Sequence, residues 1–287
     1  MKIGYIALTV LVCLSLAGCG NTAAKTAGTP TSAPTIEPTF TVTPQPSQTA
    51  TATIPPTPTT EVALQACSPL QGIDRSQLRL ITSYAFITPN NYVESGHPAI
   101  DFSFYQFTNQ LTGQQYTTFA EFPVQAILPG KVILIENDRF PYGNMVLIET
   151  PLDQIGAGFS PTILTPTSLP TSIYTTDDRC PVSGTQVSYD PTTKSIYTLY
   201  AHLASLPLVK EGDTVSCGQL IGYAGKTGHA AEDHLHLEVR IGPSLAQFGS
   251  IGAYHASNTP EERYNYCIWA LSGIFQAIDP ATLLYSE

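Results

Sequence analysis

The chain has 287 residues, with 22 acidic against 12 basic side chains and a formal net charge of -10. Its pI lies near 4.9, and no lysine or arginine run is present to follow a phosphate backbone, which argues against nucleic acid as a partner. An acidic surface also weakens attraction to anionic lipid, so any membrane attachment must come from elsewhere.

The first residues, "MKIGYIALTVLVCLSLAGCG", carry Lys2 and then an apolar run of about fifteen residues, which is signal-peptide length and short of a bilayer span. Export is expected. Leu16, Ala17, Gly18 and Cys19 resemble the bacterial lipobox, which implies a signal peptide over 1–18 and an acylated Cys19. On that reading the chain is extracytoplasmic and lipid-anchored to the bacterial cell membrane; an ordinary secretory signal is the alternative. Residues 19–63 are rich in threonine and proline and too poor in large apolar residues to bury a core, so they are read as a disordered tether.

Residues 64–287 are long enough for one domain. Short apolar or alternating runs follow one another: "LRLITSYAF", "AIDFSF", "PVQAILPGKVILIE", "NMVLIET", "IYTLYAHL", "QLIGYAG" and "HLHLEVRIG". Gly, Pro and Asn separate them, and helical periodicity is nearly absent until about residue 264, which predicts a mainly β domain ending in a short helical segment. Two stretches, 105–119 and 153–194, read as excursions, the second lying inside an apparent hairpin. Cys67, Cys180, Cys217 and Cys267 remain after the signal, an even number that allows up to two disulfides with the pairing open. None shows C-x-x-C spacing, so a zinc cluster of these cysteines is not expected.

"GHAAEDHLHLEVR", 228–240, holds three of the six histidines. On an extended strand His234, His236 and Glu238 project one way while Leu235, Leu237 and Val239 project the other, onto a core. The histidines then face solvent or a groove. By the same parity, "IYTLYAHL" has a buried set of Leu199, Ala201 and Leu203, with Thr198, Tyr200 and His202 opposite. "GHPAIDFSF" places His97 four residues before Asp101. Both are good zinc ligands, yet on a straight strand they would stand about 13 Å apart. They share a metal only if the chain bends between them, and Gly96 and Pro98 are plausible places for the bend, with the strand starting near Ile100.

"HPAIDF", "GKVILIE", "YGNMVLIET", "YAHL", "VKEGDTVSCGQLIGYAGKTG" and "HLHLEVR" occur in that order. With these blocks, residues 96–242 resemble the lysostaphin/LytM-type zinc metallopeptidases, which cleave peptides of bacterial peptidoglycan. The resemblance implies antiparallel sheets in a compact sandwich or barrel-like peptidase domain with an open groove and loop insertions. It makes His97, Asp101 and His236 the ligands of one zinc ion per domain, with a fourth position left for water, and His202 and His234 the two assisting catalytic histidines. Peptidoglycan peptides are the implied partners of a chain read as a monomer. Glu238 is a candidate acceptor for a ligand imidazole N–H, or a partner of Arg240 at the rim. Tyr200 is a candidate hydrogen-bonding group towards substrate or a packing residue, and His229 and His255 match no catalytic position.

Two departures stand out. Ala99 replaces a usual glycine, and "HAAEDH" brings Glu232 and Asp233 beside the site, where acidic groups favour a cationic or neutral peptide. The alternative function is a non-catalytic cell-wall binding module or an activator of another hydrolase, although no ligand or catalytic histidine is missing.

Overall fold

The computed structural model describes residues 65–90, 95–155, 180, 187–253 and 255–285. The signal, Cys19, the tether and most of the 153–194 excursion lie outside them. The described residues fall in one unit, Pro58–Glu287.

Among the described residues twelve strands follow one another: β1 Thr82–Tyr84, β2 Ala99–Phe102, β3 Phe107–Thr108, β4 Gln115–Tyr116, β5 Pro123–Gln125 and β6 Gly130–Arg139. Then come β7 Gly143–Pro151, β8 Ser188–Leu203, β9 Thr214–Val215, β10 Leu220–Tyr223, β11 Leu235–Gln247 and β12 Gln276–Ile278. The main sheet has eight strands in the order β1-β2-β11-β8-β7-β6-β9, with β12 also on β11, and every pairing in it is antiparallel. It is open at β1 and β9 rather than closed into a barrel. β5 pairs with β10, and β3 with β4, the latter forming a small hairpin inside the 105–119 excursion. The aromatic rings of Phe104, Phe119 and Phe122 pack behind that hairpin. β8 begins at Ser188, earlier than the Thr/Pro/Ser-rich composition indicates, and pairs with β7 as the two arms of the expected hairpin.

Helix α1, Pro260–Ala270, starts where its sequence dictates. Thr259 accepts from the Glu262 amide while the Glu262 carboxylate accepts from the Thr259 amide, and Pro260 fills the first helical position. A short helix α2, Ala281–Leu284, follows. Among the described residues no helix is long and apolar enough to cross a membrane.

The central strands are covered on both faces. On one, Ile100, Phe102, Val146, Ile148, Ile196, Tyr200, Leu235, Leu237 and Val239 belong to a single apolar cluster. On the other, Met145, Leu147, Tyr197, Leu199 and Ala201 pack with Trp269 and Phe275 from the C-terminal segment. Two disulfides, Cys67–Cys217 and Cys180–Cys267, use all four cysteines of residues 64–287 and complete the pairing that sequence left open.

Candidate metal centre

Two cross-strand pairs build the floor of the site. His236 on β11 stands opposite Asp101 on β2, and Glu238 stands opposite Ala99. Directly paired residues share a face, so the buried Ala99 methyl occupies floor space beside Glu238. His97 joins from outside the strand. Gly96 takes φ +76°, a left-handed conformation that glycine adopts freely. Its missing Cβ is also needed: a methyl there would come within 2.6 Å of the Ile87 carbonyl oxygen. The expected bend therefore exists and brings His97 Nε2 to 3.3 Å from Asp101 Oδ2.

His202 reaches the site by a different device, and here the parity argument fails. Register puts Ala201 opposite His236, and Leu237 opposite Tyr200. The site face of β8 is thus the face of Leu199 and Ala201, and Tyr200 points away from it. Tyr200 is 0% exposed, packs in the apolar cluster, and accepts a hydrogen bond from the Ile127 amide at 2.7 Å, so it does not meet substrate. Regular alternation would send His202 after it. Instead β8 carries one extra residue against β7 between the Asn144–Leu203 and Val146–Tyr200 pairs, and His202 sits there at φ +60°. Such a bulge re-aims a side chain; Leu203 takes the apolar face and His202 turns into the cleft.

Each histidine has one ring nitrogen anchored. His97 Nδ1 meets the Ala85 carbonyl at 3.0 Å, His202 Nδ1 the Thr227 carbonyl at 2.8 Å, and His234 Nδ1 the Glu232 carbonyl at 2.9 Å. A carbonyl only accepts, so these Nδ1 atoms carry the proton and Nε2 is left bare. His236 is reversed: Nε2 lies 3.3 Å from Glu238 Oε1 and Nδ1 lies 2.9 Å from Asp101 Oδ1. The Glu238 carboxylate thus fixes the orientation of His236, and its other oxygen accepts from Arg240 Nε at 2.7 Å. Both pairings named from sequence occur together, but Arg240 is 2% exposed and lies at the floor rather than the rim.

With both anchored N–H groups already used, the bare nitrogens of His97 and His236 face the oxygens of one carboxylate. That arrangement needs a cation between the groups, a proton or a metal. The three ligand atoms of His97, Asp101 and His236 lie within 4.8 Å of one another. Two ligands of a tetrahedral zinc at about 2.0–2.1 Å stand about 3.3 Å apart, close to the separations found here, so the donor set fits zinc. His202, His234 and His236 form a second set within the same 4.8 Å limit, sharing His236.

The electrostatics follow. Burial opposes ionisation of Asp101, but His236 and His97 outweigh it and hold the carboxyl below the usual range. Burial opposes protonation of His236, and Asp101 and Glu238 override it, raising that imidazole. For His202, burial and the neighbouring His236 and His234 act together and push the pKa down to about 3, so it is neutral at physiological pH. The rings of His202 and His234 lie 4.6 Å apart, and His234 Nε2 stands 3.9 Å from Asp101 Oδ2.

A cleft of about 440 Å³ opens over these groups, lined also by Tyr84, Tyr142 and His229. Tyr84 lays its ring 4.5 Å from that of His97. His229 lines the cleft with its ring tilted against Phe140, while His255 stacks on the same ring from outside the lining. Glu232 accepts from the Tyr105 hydroxyl at 2.5 Å, and Ser103 donates to the Asp233 carbonyl. Glu232 is thereby tied to the 105–119 excursion, and Asp233 to Ser103 just before it. Sequence reading missed Tyr142, Thr227 and Trp269; "YGN" and "GKTG" were visible as blocks, yet nothing local marks their polar atoms as facing histidines.

An open antiparallel sheet thus carries this cleft. Residues 173–247 match the model of peptidase family M23, a span that includes His202, His234 and His236 and follows His97 and Asp101 in the chain. Among solved structures the chain is similar to the catalytic domain of the antimicrobial peptidase lysostaphin from Staphylococcus simulans, at 19% identity and TM-score 0.37, covering 75% of this chain and 99% of that one. It is also similar to a zinc containing peptidase from Vibrio cholerae, at 20% identity and TM-score 0.34. That likeness covers 62% of this chain and 36% of the other, so this chain spans about a third of its length. A third is the catalytic domain of a prophage-encoded M23 protein, EnpA, from Enterococcus faecalis, at 17% identity and TM-score 0.32, covering 58% and 85%.

Proposed function

We propose that this chain is a zinc-dependent metalloendopeptidase that hydrolyses peptide bonds of bacterial peptidoglycan. The observation that carries the reading is the convergence of His97, Asp101 and His236, each oriented by the rest of the fold, beneath two further histidines in one cleft. Bound by that set, zinc supplies a polarised carbonyl and a water of lowered pKa.

The chain's own groups supply the rest. His202 is neutral, with Nδ1–H committed to Thr227, so its bare Nε2 accepts the proton of the attacking water. His234 is the less enclosed of the pair and presents Nε2 to the same space, where it steadies the developing oxyanion or passes a proton to the leaving amine. Glu238 keeps His236 in the tautomer that offers Nδ1. Among the described residues the cleft is lined by Asp101, Glu238 and the histidines, and its one basic lining residue, Arg240, is 2% exposed and paired with Glu238, which fits a neutral or cationic peptide.

The proposed setting is the outer face of a bacterial membrane, with Cys19 acylated and the Thr/Pro-rich stretch as a spacer. Two disulfides accord with an oxidising compartment. The test is a His234→Ala variant assayed on peptidoglycan, with metal content measured in parallel. About one zinc per chain with lytic activity lost is expected. Lytic activity that survives in His234→Ala, or that appears only when a separate hydrolase is added, contradicts the reading.

A further inference from the structure

Beneath His236 lies a closed ring of hydrogen bonds that the reaction does not use directly. The Tyr142 hydroxyl donates to Glu238 Oε1 at 2.8 Å, and Arg240 Nε donates to Glu238 Oε2 at 2.7 Å. Trp269, the chain's single tryptophan, closes the ring from both ends. Its indole N–H donates to the Tyr142 oxygen at 3.2 Å, while its carbonyl accepts from Arg240 Nη1 at 3.1 Å. The same guanidinium donates to the Phe275 carbonyl at 3.1 Å and lies 4.8 Å over the Trp269 ring.

Stability alone does not account for this arrangement. A buried carboxylate and guanidinium each lose solvation worth several kcal/mol, and well-packed apolar residues of similar volume commonly serve a core as well or better. The cluster instead accomplishes something an apolar core cannot. Both oxygens of Glu238 are fixed by donors from two elements, the loop before β7 and β11 itself, each held in turn by Trp269 of helix α1, so that Oε1 points at His236 Nε2.

We propose that Tyr142, Arg240 and Trp269 are positioning residues for the metal centre, acting through Glu238 on His236, so that the C-terminal helix is part of the site. The inference rests on the zinc reading above. Loosening the brace lets the Glu238 carboxylate and the His236 ring turn, and the ligand set loses pre-organisation; partners of this kind are worth about 10- to 100-fold in metal affinity.

The experiment compares zinc dissociation constants of the full-length protein, Tyr142→Phe, Trp269→Phe and Tyr200→Phe, by competition with a chromophoric chelator well below the unfolding temperature. Visible absorption of the Co2+ forms is recorded alongside. Tyr142→Phe is expected to bind zinc about tenfold more weakly with an altered cobalt spectrum. Trp269→Phe keeps the carbonyl and removes only the indole donor, and is expected to weaken binding less. Tyr200→Phe removes an equally buried hydroxyl from the opposite face of the sheet, and should lower the melting temperature while leaving both metal readouts at wild-type values. Wild-type affinity and spectrum in both Tyr142→Phe and Trp269→Phe overturn the inference. A wild type that takes up no metal overturns the zinc reading and this inference with it, and is told apart because it shows in the unmodified protein.

Discussion

The two faces of the central sheet are buried alike and built differently. The face carrying Ile100, Tyr200, Leu235, Leu237 and Val239 is mainly aliphatic and aromatic, and its buried Tyr200 hydroxyl is paired to a backbone amide. The opposite face carries Asp101, His236, Glu238 and Arg240, roofed by Trp269. Apolar packing is non-directional and degrades gradually. A buried polar network depends on every partner, so the second face holds side chains at set angles at the cost of tolerance to change. That asymmetry explains why the site sits where the sheet is polar inside, and how a core can orient a metal ligand.

The comparison is most strongly tested at the ligands. Asp101→Ala and His236→Ala are each expected to lose bound metal, from about one per chain to near zero by elemental analysis, with lytic activity falling below detection. Next comes a contrast between faces. Arg240→Met leaves Glu238 as an uncompensated buried charge and should cost about 3–5 kcal/mol in denaturant unfolding, whereas adding Glu238→Gln should recover part of that loss. Leu237→Ala on the other face should cost about 2–5 kcal/mol through the cavity it leaves, with zinc affinity of the folded protein unchanged. Cys217→Ser, which opens the Cys67–Cys217 crosslink across 150 residues, should cost about 2–5 kcal/mol at the sheet's far side without changing metal content.

A smaller effect concerns the anchorage of α1. Glu136 is buried, accepts from the Ile251 amide and Ser250, and shares Ser250 with Glu262. Burial, with Glu262 adding to it, pushes its pKa up to about 7. Because the native carboxyl binds its proton more tightly than the unfolded chain does, the associated stability is present below about pH 4.5 and is lost as pH rises through 7. Glu136→Gln should therefore flatten the pH dependence of the melting temperature between those values and leave the variant more stable than wild type above pH 7.

Much of this was legible in the sequence. Alternation in "HLHLEVR" assigned His236 and Glu238 to one face and Leu235 and Leu237 to the other, and the register agrees. Gly96 before His97 marked a bend that glycine alone accommodates. What failed was "IYTLYAHL". Period-two reasoning presumes one polar face and an unbroken strand, but β8 is buried on both sides and bulges at His202, which reverses the assignment of Tyr200. Tyr142 and Trp269 were invisible for another reason. They lie 96 and 31 residues from Glu238 in sequence, and an aromatic residue in a hydrophobic run reads as packing unless its polar atom is seen to have a partner. Four cysteines left three possible pairings, and only the fold selects one.

The most direct test of the account is metal dependence of peptidoglycan hydrolysis by the purified protein. Chelated protein should release no fragments detectable by mass spectrometry, and activity should return in proportion to added zinc, saturating at about one ion per chain. Undiminished hydrolysis after complete metal removal, or stoichiometric zinc binding that never restores fragment release, would contradict it.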